Sequence, residues 1–130
     1  MGDRRRQEVP LRERGSLTVE AALVIPFLLL MGIAVLEGVA TMTTQMQVVV
    51  ATREGVRVAA TTPDVSRAVD AVRASLPPSI SSKARVQVDR PATAGRPATV
   101  RVSVDLPLVT PFLSGFSVPL GWSTSMLVEP

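Results

Sequence analysis

The sequence predicts an α+β protein: a long N-terminal transmembrane α-helix that continues into a small exported domain, with a short second helix and a three-stranded antiparallel sheet. Three observations carry this prediction. A long apolar run lies near the N-terminus, apolar residues then recur at helical spacing, and after about residue 84 they alternate with polar residues as in strands. The 130 residues leave room for one small domain beside the apolar helix.

The composition excludes several kinds of chemistry. The chain has no cysteine and no histidine, so it offers no disulfide, no thiol nucleophile, no imidazole base and no usual zinc ligand set. Three phenylalanines and one tryptophan are too few for a platform that stacks single-stranded bases. No phosphate-binding loop and no catalytic grouping of acids is present. We therefore expect no cofactor, no metal, no nucleic-acid partner and no enzymatic activity.

The apolar run from Ala21 to Leu36 is sixteen residues without a charge. With Leu17, Thr18 and Val19 it reaches about 20 residues, the length that an α-helix needs to cross a bilayer. Five arginines precede it in residues 1–15, and the positive-inside rule then keeps this head in the cytoplasm and exports the region after the span. The predicted division is a basic cytoplasmic leader at 1–15, a transmembrane helix at 16–37 and an exported domain at 38–130.

The apolar run allows two other interpretations. A soluble core helix fits poorly, because nearly every face of the helix is apolar and little of the remaining chain is available to bury it. A cleaved secretory signal would use the small residues Gly38 to Ala40 and release a chain that begins at Thr41. The length of the run and the acid Glu20 at its cytoplasmic edge argue against that signal.

A helix is predicted over 38–60, because apolar residues there follow a 3-then-4 repeat. The repeat predicts the side that packs on the exported domain and leaves Thr44 and Thr52 off it. Its members are Val39, Met42, Met46, Val49, Arg53, Val56 and Ala60.

A second helix is predicted over 63–76, with Thr62 as its cap and Pro63 at its first position. Pro77 and Pro78 end this helix, and a polar linker from Ser79 to Lys83 follows.

Strands are predicted at about 84–89, 98–106 and 121–129. The first two are joined by a hairpin turn over 90–97, and a proline-punctuated loop leads to the third. In the third strand alternate residues share one side of the sheet, namely Trp122, Thr124, Met126 and Val128.

Glu20 is the fifth residue after Gly15, directly between the basic head and the apolar run. This arrangement resembles the class III signal of type IV pilins and pseudopilins. The resemblance implies that a membrane protease, the prepilin peptidase, cuts between Gly15 and Ser16 and leaves the helix in the product. Glycine suits an extended scissile backbone, and Glu20 would neutralise the new Ser16 ammonium of a neighbouring subunit within the bilayer.

Two segments narrow the resemblance to TadE-like proteins of the tight adherence (Flp pilus) system. After the glycine come Val-Glu-x-Ala-Leu-Val-x-Pro and a long apolar helix, and an Ala-x-Arg-Glu-Gly-x-Arg segment follows. The matching residues are Gly15, Val19, Glu20, Ala22, Leu23, Val24 and Pro26 in the first segment, and Ala51, Arg53, Glu54, Gly55 and Arg57 in the second. Pro26 is expected to bend the helix.

The resemblance implies a minor pseudopilin, since Ala21 follows Glu20 where the major Flp pilin has tyrosine. Its implied location is the cytoplasmic membrane, and it would take part in pilus assembly. The implied partners are the prepilin peptidase, other pilins and pseudopilins, pilus platform proteins and membrane lipid. A membrane-anchored binding module and a secreted small binding domain remain as alternatives.

Overall fold

The computed structural model describes residues 11–108 and 115–129, with side chains from residue 18 onward. The chain divides into two units, Met1–Leu36 and Glu37–Pro130. The described residues form three helices and three strands, in chain order α1 at Leu11–Thr61, α2 at Val65–Ser75, α3 at Pro78–Ser81, β1 at Arg85–Asp89, β2 at Pro97–Pro107 and β3 at Ser117–Leu127. The α+β prediction is therefore confirmed.

In the first unit, α1 is apolar and exposed on every side. Leu23 is 74% exposed, and even Leu30, the least exposed large apolar residue of this stretch, is 39% exposed. An apolar helix that none of the described residues covers is what a lipid environment accommodates, since lipid imposes no cost on exposed apolar surface.

In the second unit, α1 buries one face against the rest of the domain. Val48, Ala51 and Ala59 are fully buried, and so is Thr52. The hydroxyl of Thr52 donates to the carbonyl of Val48 at 2.6 Å, which satisfies the buried polar atom within the helix itself. Small side chains dominate this face, so the helix can lie close to the elements it packs on.

The predicted buried side of this helix was wrong for most of its length. Val39, Met42 and Met46 are each about 60% exposed and Arg53 is exposed, whereas Thr44 is buried. Only the end of the repeat is buried, at Val56 and Ala60. A strict 3.5-residue repeat drifts by about 20° per heptad around a straight helix, so its first and last members face different surroundings.

Helix α2 starts later than predicted. Its N-cap is Asp64 rather than Thr62, because the Asp64 carboxylate accepts from the backbone N–H of Ser66 at 2.9 Å. Leu76 is its C-cap. The predicted polar linker contains a short helix, α3, with Pro78 at its first turn, a position where the missing N–H costs nothing.

The sheet has the order β1-β2-β3, and both pairs are antiparallel. One face of β2 is buried along its length, at Ala98, Val100, Val102 and Val104. The core combines this face with α1 and α2. Polar residues cover the other face, namely Gln87, Thr99, Arg101, Ser103, Ser123 and Ser125.

Strand β3 begins four residues earlier than predicted, at Ser117, and ends at Leu127. It pairs with all of β2, from Pro97↔Leu127 to Pro107↔Ser117, and this pairing shortens the predicted loop. Pro119 is tolerated because β3 is an edge strand. Register places Trp122 opposite Val102 on the core side as predicted, whereas Val128 lies beyond the strand.

Candidate processing and assembly segments

The predicted cleavage residues lie in the first turns of α1. The backbone of Gly15 and Ser16 is helical and follows the helix start at Leu11 by only a few residues. Glu20 is exposed on the same helix, four residues after Ser16, so both positions share one helix face. Most of the basic leader lies outside the described residues.

The apolar run is a single long helix with Pro26 inside it. Because proline has no N–H, the carbonyl of Ala22 loses its usual partner four residues on. Within the described residues, this is the one helix long and apolar enough to cross a membrane. Its length, its apolar composition and its place near the N-terminus suit a membrane anchor.

Gly55 is the buried centre of the second sequence motif. A Cβ atom built on Gly55 would overlap Cγ2 of Val72 and would lie 3.4 Å from Cγ1 of Val100 and 3.5 Å from the carbonyl oxygen of Ala68. Glycine is therefore needed at this position, where α1 packs against α2 and β2. The sequence singled out Gly55 by resemblance, and the structure supplies a packing reason for it.

The charged residues of the same motif point away from the core. Arg57 donates to both carboxylate oxygens of Glu54, from Nε at 3.1 Å and from a terminal nitrogen at 2.6 Å. This hydrogen-bonded pair lowers the pKa of Glu54 and raises that of Arg57. Arg53 is exposed, with no hydrogen bond or ion pair to any residue that the structure describes.

Two carbonyl groups at the end of α1 accept hydrogen bonds from residues distant in sequence. Arg90 Nε donates to the carbonyl of Ala59 at 2.7 Å, and the Glu129 backbone N–H donates to the carbonyl of Ala60 at 3.1 Å. A cation at a helix C-terminus complements the negative end of the helix dipole. Sequence reasoning missed Arg90, because 31 residues separate it from its partner.

The described residues contain no group of three or more acidic, histidine or cysteine side chains suited to hold a metal ion. The ion pairs among them, Glu54–Arg57 and Arg85–Asp105, are exposed on the surface. The described residues thus suit the packing of a small domain and its attachment to an apolar helix.

These features define a class: a small α+β domain whose first helix is continuous with an apolar, membrane-anchor type of segment. Residues 15–57 match the profile of the TadE-like protein family, which covers about a third of the chain. The resemblance drawn from the sequence is thus confirmed over this segment, and it implies a role among the pseudopilins of the tight adherence pilus. TadE-like proteins are structural pilus components and not an enzyme family. Neither the curated proteins nor the solved structures contain a significant match.

Proposed function

We propose that this protein is a minor pseudopilin that a prepilin peptidase trims between Gly15 and Ser16 and that takes part in assembling a tight adherence pilus or a related secretion apparatus. The observation that carries the proposal is the extent of the family match. It begins at Gly15, the residue before the proposed cut, and ends at Arg57, the last residue of the motif around Gly55. The apolar run of α1, from Ala21 to Leu36, lies inside the matched segment.

Cleavage requires the Gly15–Ser16 bond to leave the helical conformation and enter the protease as extended chain. Both residues lie near the start of α1, where helix ends fray at low free-energy cost. Glycine lowers that cost further, because it loses the most conformational freedom in a helix. A large side chain at position 15 would clash in a site shaped for bare backbone.

Cleavage would also bring Glu20 closer to the N-terminal end of the helix and so to the positive end of the helix dipole. In the precursor Glu20 is the tenth residue of α1, whereas in the product it would be the fifth residue of the chain, close to the positive N-terminal end of the helix. A carboxylate is favourable there, and it would face an ammonium group on Ser16 of a neighbouring subunit. An acid that is costly near the bilayer edge thereby becomes a contact for assembly.

The proposed orientation places the arginine-rich head inside and residues after the span outside. Protease added to intact spheroplasts should then digest residues 37–130 and spare the head. Protection of the C-terminal region would contradict this orientation.

The first residue of the membrane-extracted protein tests processing directly. Intact mass and N-terminal sequencing should give Ser16 as the first residue, and Gly15→Leu should leave only uncut precursor. Gly38→Leu is a matched control, since a side chain at Gly38 meets open space, and it should be trimmed normally. A product that begins at Met1 would indicate a plain anchored module, and one that begins at Thr41 would indicate a secreted domain.

The role of Glu20 is tested by Glu20→Ala and Glu20→Gln at matched membrane levels. Both variants should be trimmed like the parent, because cleavage depends on Gly15. Both should fail to cross-link to pilus subunits, because each leaves an ammonium without its partner. Asp70→Asn, at an exposed position on α2, controls for loss of any acid. Normal assembly of both Glu20 variants would contradict the pairing.

A further inference from the structure

The two edges of the sheet differ in how well they are protected against pairing with another strand. Strand β1 has five residues and carries charged side chains at both ends, Arg85 and Asp89. Strand β3 has eleven residues, and its second half, residues 121–127, contains no charged residue and no proline. Short length and charged side chains are usual means of blocking a sheet edge. The second half of β3 lacks both.

The hydrogen-bond pattern shows which backbone groups of β3 face this edge. At one end of the ladder the N–H of Leu108 donates to the carbonyl of Phe116 at 3.1 Å. At the other end the N–H of Val128 donates to the carbonyl of Arg96 at 2.9 Å. The register between these pairs is continuous, and bonded pairs alternate with non-bonded pairs in an antiparallel ladder. The even-numbered residues of β3 therefore bond to β2, and the odd-numbered residues direct their N–H and C=O groups to the free edge.

Two odd-numbered residues agree with this assignment. Pro119 has no N–H and occupies a position where the ladder needs none. The carbonyl of Gly121 accepts from Nε2 of Gln45 on α1 at 3.1 Å, so this edge group already has a partner. The next two, Ser123 and Ser125, have no backbone hydrogen bond on this side to any residue that the structure describes. Their N–H and C=O groups form what we call the open edge.

A groove of about 570 Å³ runs beside the open edge, between β3 and α1. Thr124, Ser125 and Met126 line it from the strand, and Val50 and Arg53 are among its residues from the helix. Val50 is 62% exposed and Met126 is 44% exposed, so the groove presents apolar surface. Its cation Arg53 has no ion-pair partner among the described residues. The groove thus combines unpaired backbone groups, apolar side chains and a positive charge.

We propose that this groove binds an extended segment of another polypeptide, which adds to β3 as a fourth strand of the sheet. Only an extended backbone can pair with both Ser123 and Ser125, because their N–H and C=O groups repeat at the spacing of a strand. Alternate side chains of the bound segment would face α1. These side chains are apolar beside Val50 and Met126, and one is a carboxylate that pairs with Arg53.

A second copy of this chain fits the open edge poorly. Helix α1 and β3 run in the same direction, since Gln45 bonds to Gly121 and, farther along both elements, the carbonyl of Ala60 accepts from the N–H of Glu129. In the anchorage proposed above, copies in one membrane have parallel helices, and their β3 strands are then parallel as well. A two-fold pairing of β3 edges that keeps both helices on one face of the sheet needs antiparallel strands. The groove therefore favours a segment of a different chain.

Amide hydrogen exchange of the full chain in detergent tests the proposal. The probe is the end-blocked peptide Thr-Val-Thr-Glu-Thr-Val-Thr, which places its valines and its glutamate on one side of a strand. The peptide should slow exchange of the Ser123 and Ser125 N–H groups by at least about fivefold, and a titration to about 5 mM reveals dissociation constants up to about 1 mM. The N–H of Thr124, which bonds to β2, is the internal control and should change little. Unchanged exchange at both serines would overturn the proposal.

Ser125→Pro and Ser125→Ala are a matched pair of variants. Both lose the 2.8 Å hydrogen bond between the hydroxyls of Ser125 and Thr99, whereas only proline removes the N–H at the open edge. Residue 125 does not bond to β2 through its backbone, so both variants should fold, and thermal unfolding checks this. The peptide should slow exchange at Ser123 in Ser125→Ala and not in Ser125→Pro. Equal slowing in the two variants would contradict strand addition.

The charge of Arg53 is tested separately. Arg53→Glu should weaken binding of the glutamate peptide about fivefold and strengthen binding of the same peptide with lysine in place of glutamate. Equal affinities would contradict the carboxylate in the proposal. Slow exchange at Ser123 without peptide, which becomes faster on dilution, would show that a second copy occupies the edge and that a different chain is the wrong occupant. None of these measurements needs trimming at Gly15, so their failure is distinct from a failure of the proposed function.

Discussion

Two stretches of the same helix, residues 18–36 and residues 44–60, are both rich in apolar side chains, yet they differ completely in burial. In the first stretch no large apolar side chain falls below 39% exposure, whereas in the second Val48, Ala51, Thr52 and Ala59 are fully buried. The second stretch also contains threonine and glycine on its buried face. Apolar content alone therefore does not show what a helix packs against.

The two stretches also differ in the size of the side chains on the surface that could pack against other elements. The first stretch uses large residues such as Leu23 and Phe27 on all sides, which suits a disordered apolar solvent. The second uses Ala51, Gly55 and Ala59 on its buried side, which lets backbones approach closely. Small residues mark the packed face in this protein.

The largest expected effect is at Gly55. Gly55→Leu should destabilise the domain by about 3 kcal/mol, and Gly55→Ala by about 1–2 kcal/mol, because the added atoms overlap Val72. Thermal unfolding of the full chain in detergent, followed by the fluorescence of its single tryptophan, measures this. Gly38→Ala should instead be neutral or stabilise by up to about 1 kcal/mol. Equal effects at both glycines would contradict the close packing.

A smaller effect on stability should distinguish the buried side of α1 from its exposed residues. Val48→Ala should cost about 2 kcal/mol, because it removes two buried methyl groups and leaves a cavity. Leu29→Ala and Met46→Ala should each change domain stability by less than about 0.5 kcal/mol, since both side chains are exposed. The same unfolding measurement applies. A large loss with Met46→Ala would show that this exposed side of α1 belongs to the core.

The next largest effect on stability is expected at the C-terminal end of α1. Arg90→Ala should cost about 1–2 kcal/mol, because the carbonyl of Ala59 loses a charged donor. Arg101→Ala, on the polar face of the sheet, should have little effect. Urea unfolding of the two variants side by side gives the comparison. Similar midpoints would mean that the Arg90 contact adds no stability.

The smallest effect concerns the cap of α2 and depends on pH. Hydrogen bonds from the hydroxyl and then the backbone N–H of Ser66 lower the pKa of Asp64. The carboxylate therefore stabilises the folded domain above the ordinary aspartate pKa of about 4, and this contribution is lost as the pH falls through the lowered value. Asp64→Ala should lower the melting temperature slightly at pH 7.

At pH 3 the difference in melting temperature between Asp64→Ala and the parent protein should become smaller. Glu54 titrates in both proteins. Its effect therefore cancels when the two melting temperatures are compared at the same pH. Thermal unfolding at pH 3, 5 and 7 provides the data. A gap that stays constant over this range would rule out the charged cap.

Much of the architecture followed from the sequence, because each element has a local signature. The apolar run predicted the long N-terminal helix, and the prolines at 77 and 78 predicted the end of α2. Alternation of Val100, Val102 and Val104 with polar residues fixed both the strand and its buried face. The motifs around Gly15 and Gly55 marked the segment that matches the TadE-like family.

Only the tertiary structure decided which side of α1 is buried, where β3 begins and what caps the end of α1. The 3-then-4 repeat allows either face of a helix to be the core, and contact with α2 and β2 selects the side with Ala51 and Gly55. The start of β3 depends on pairing with the far end of β2, and the Arg90 bond to Ala59 joins residues that are distant in sequence. These features depend on long-range contacts, which leave no periodic trace in a single sequence.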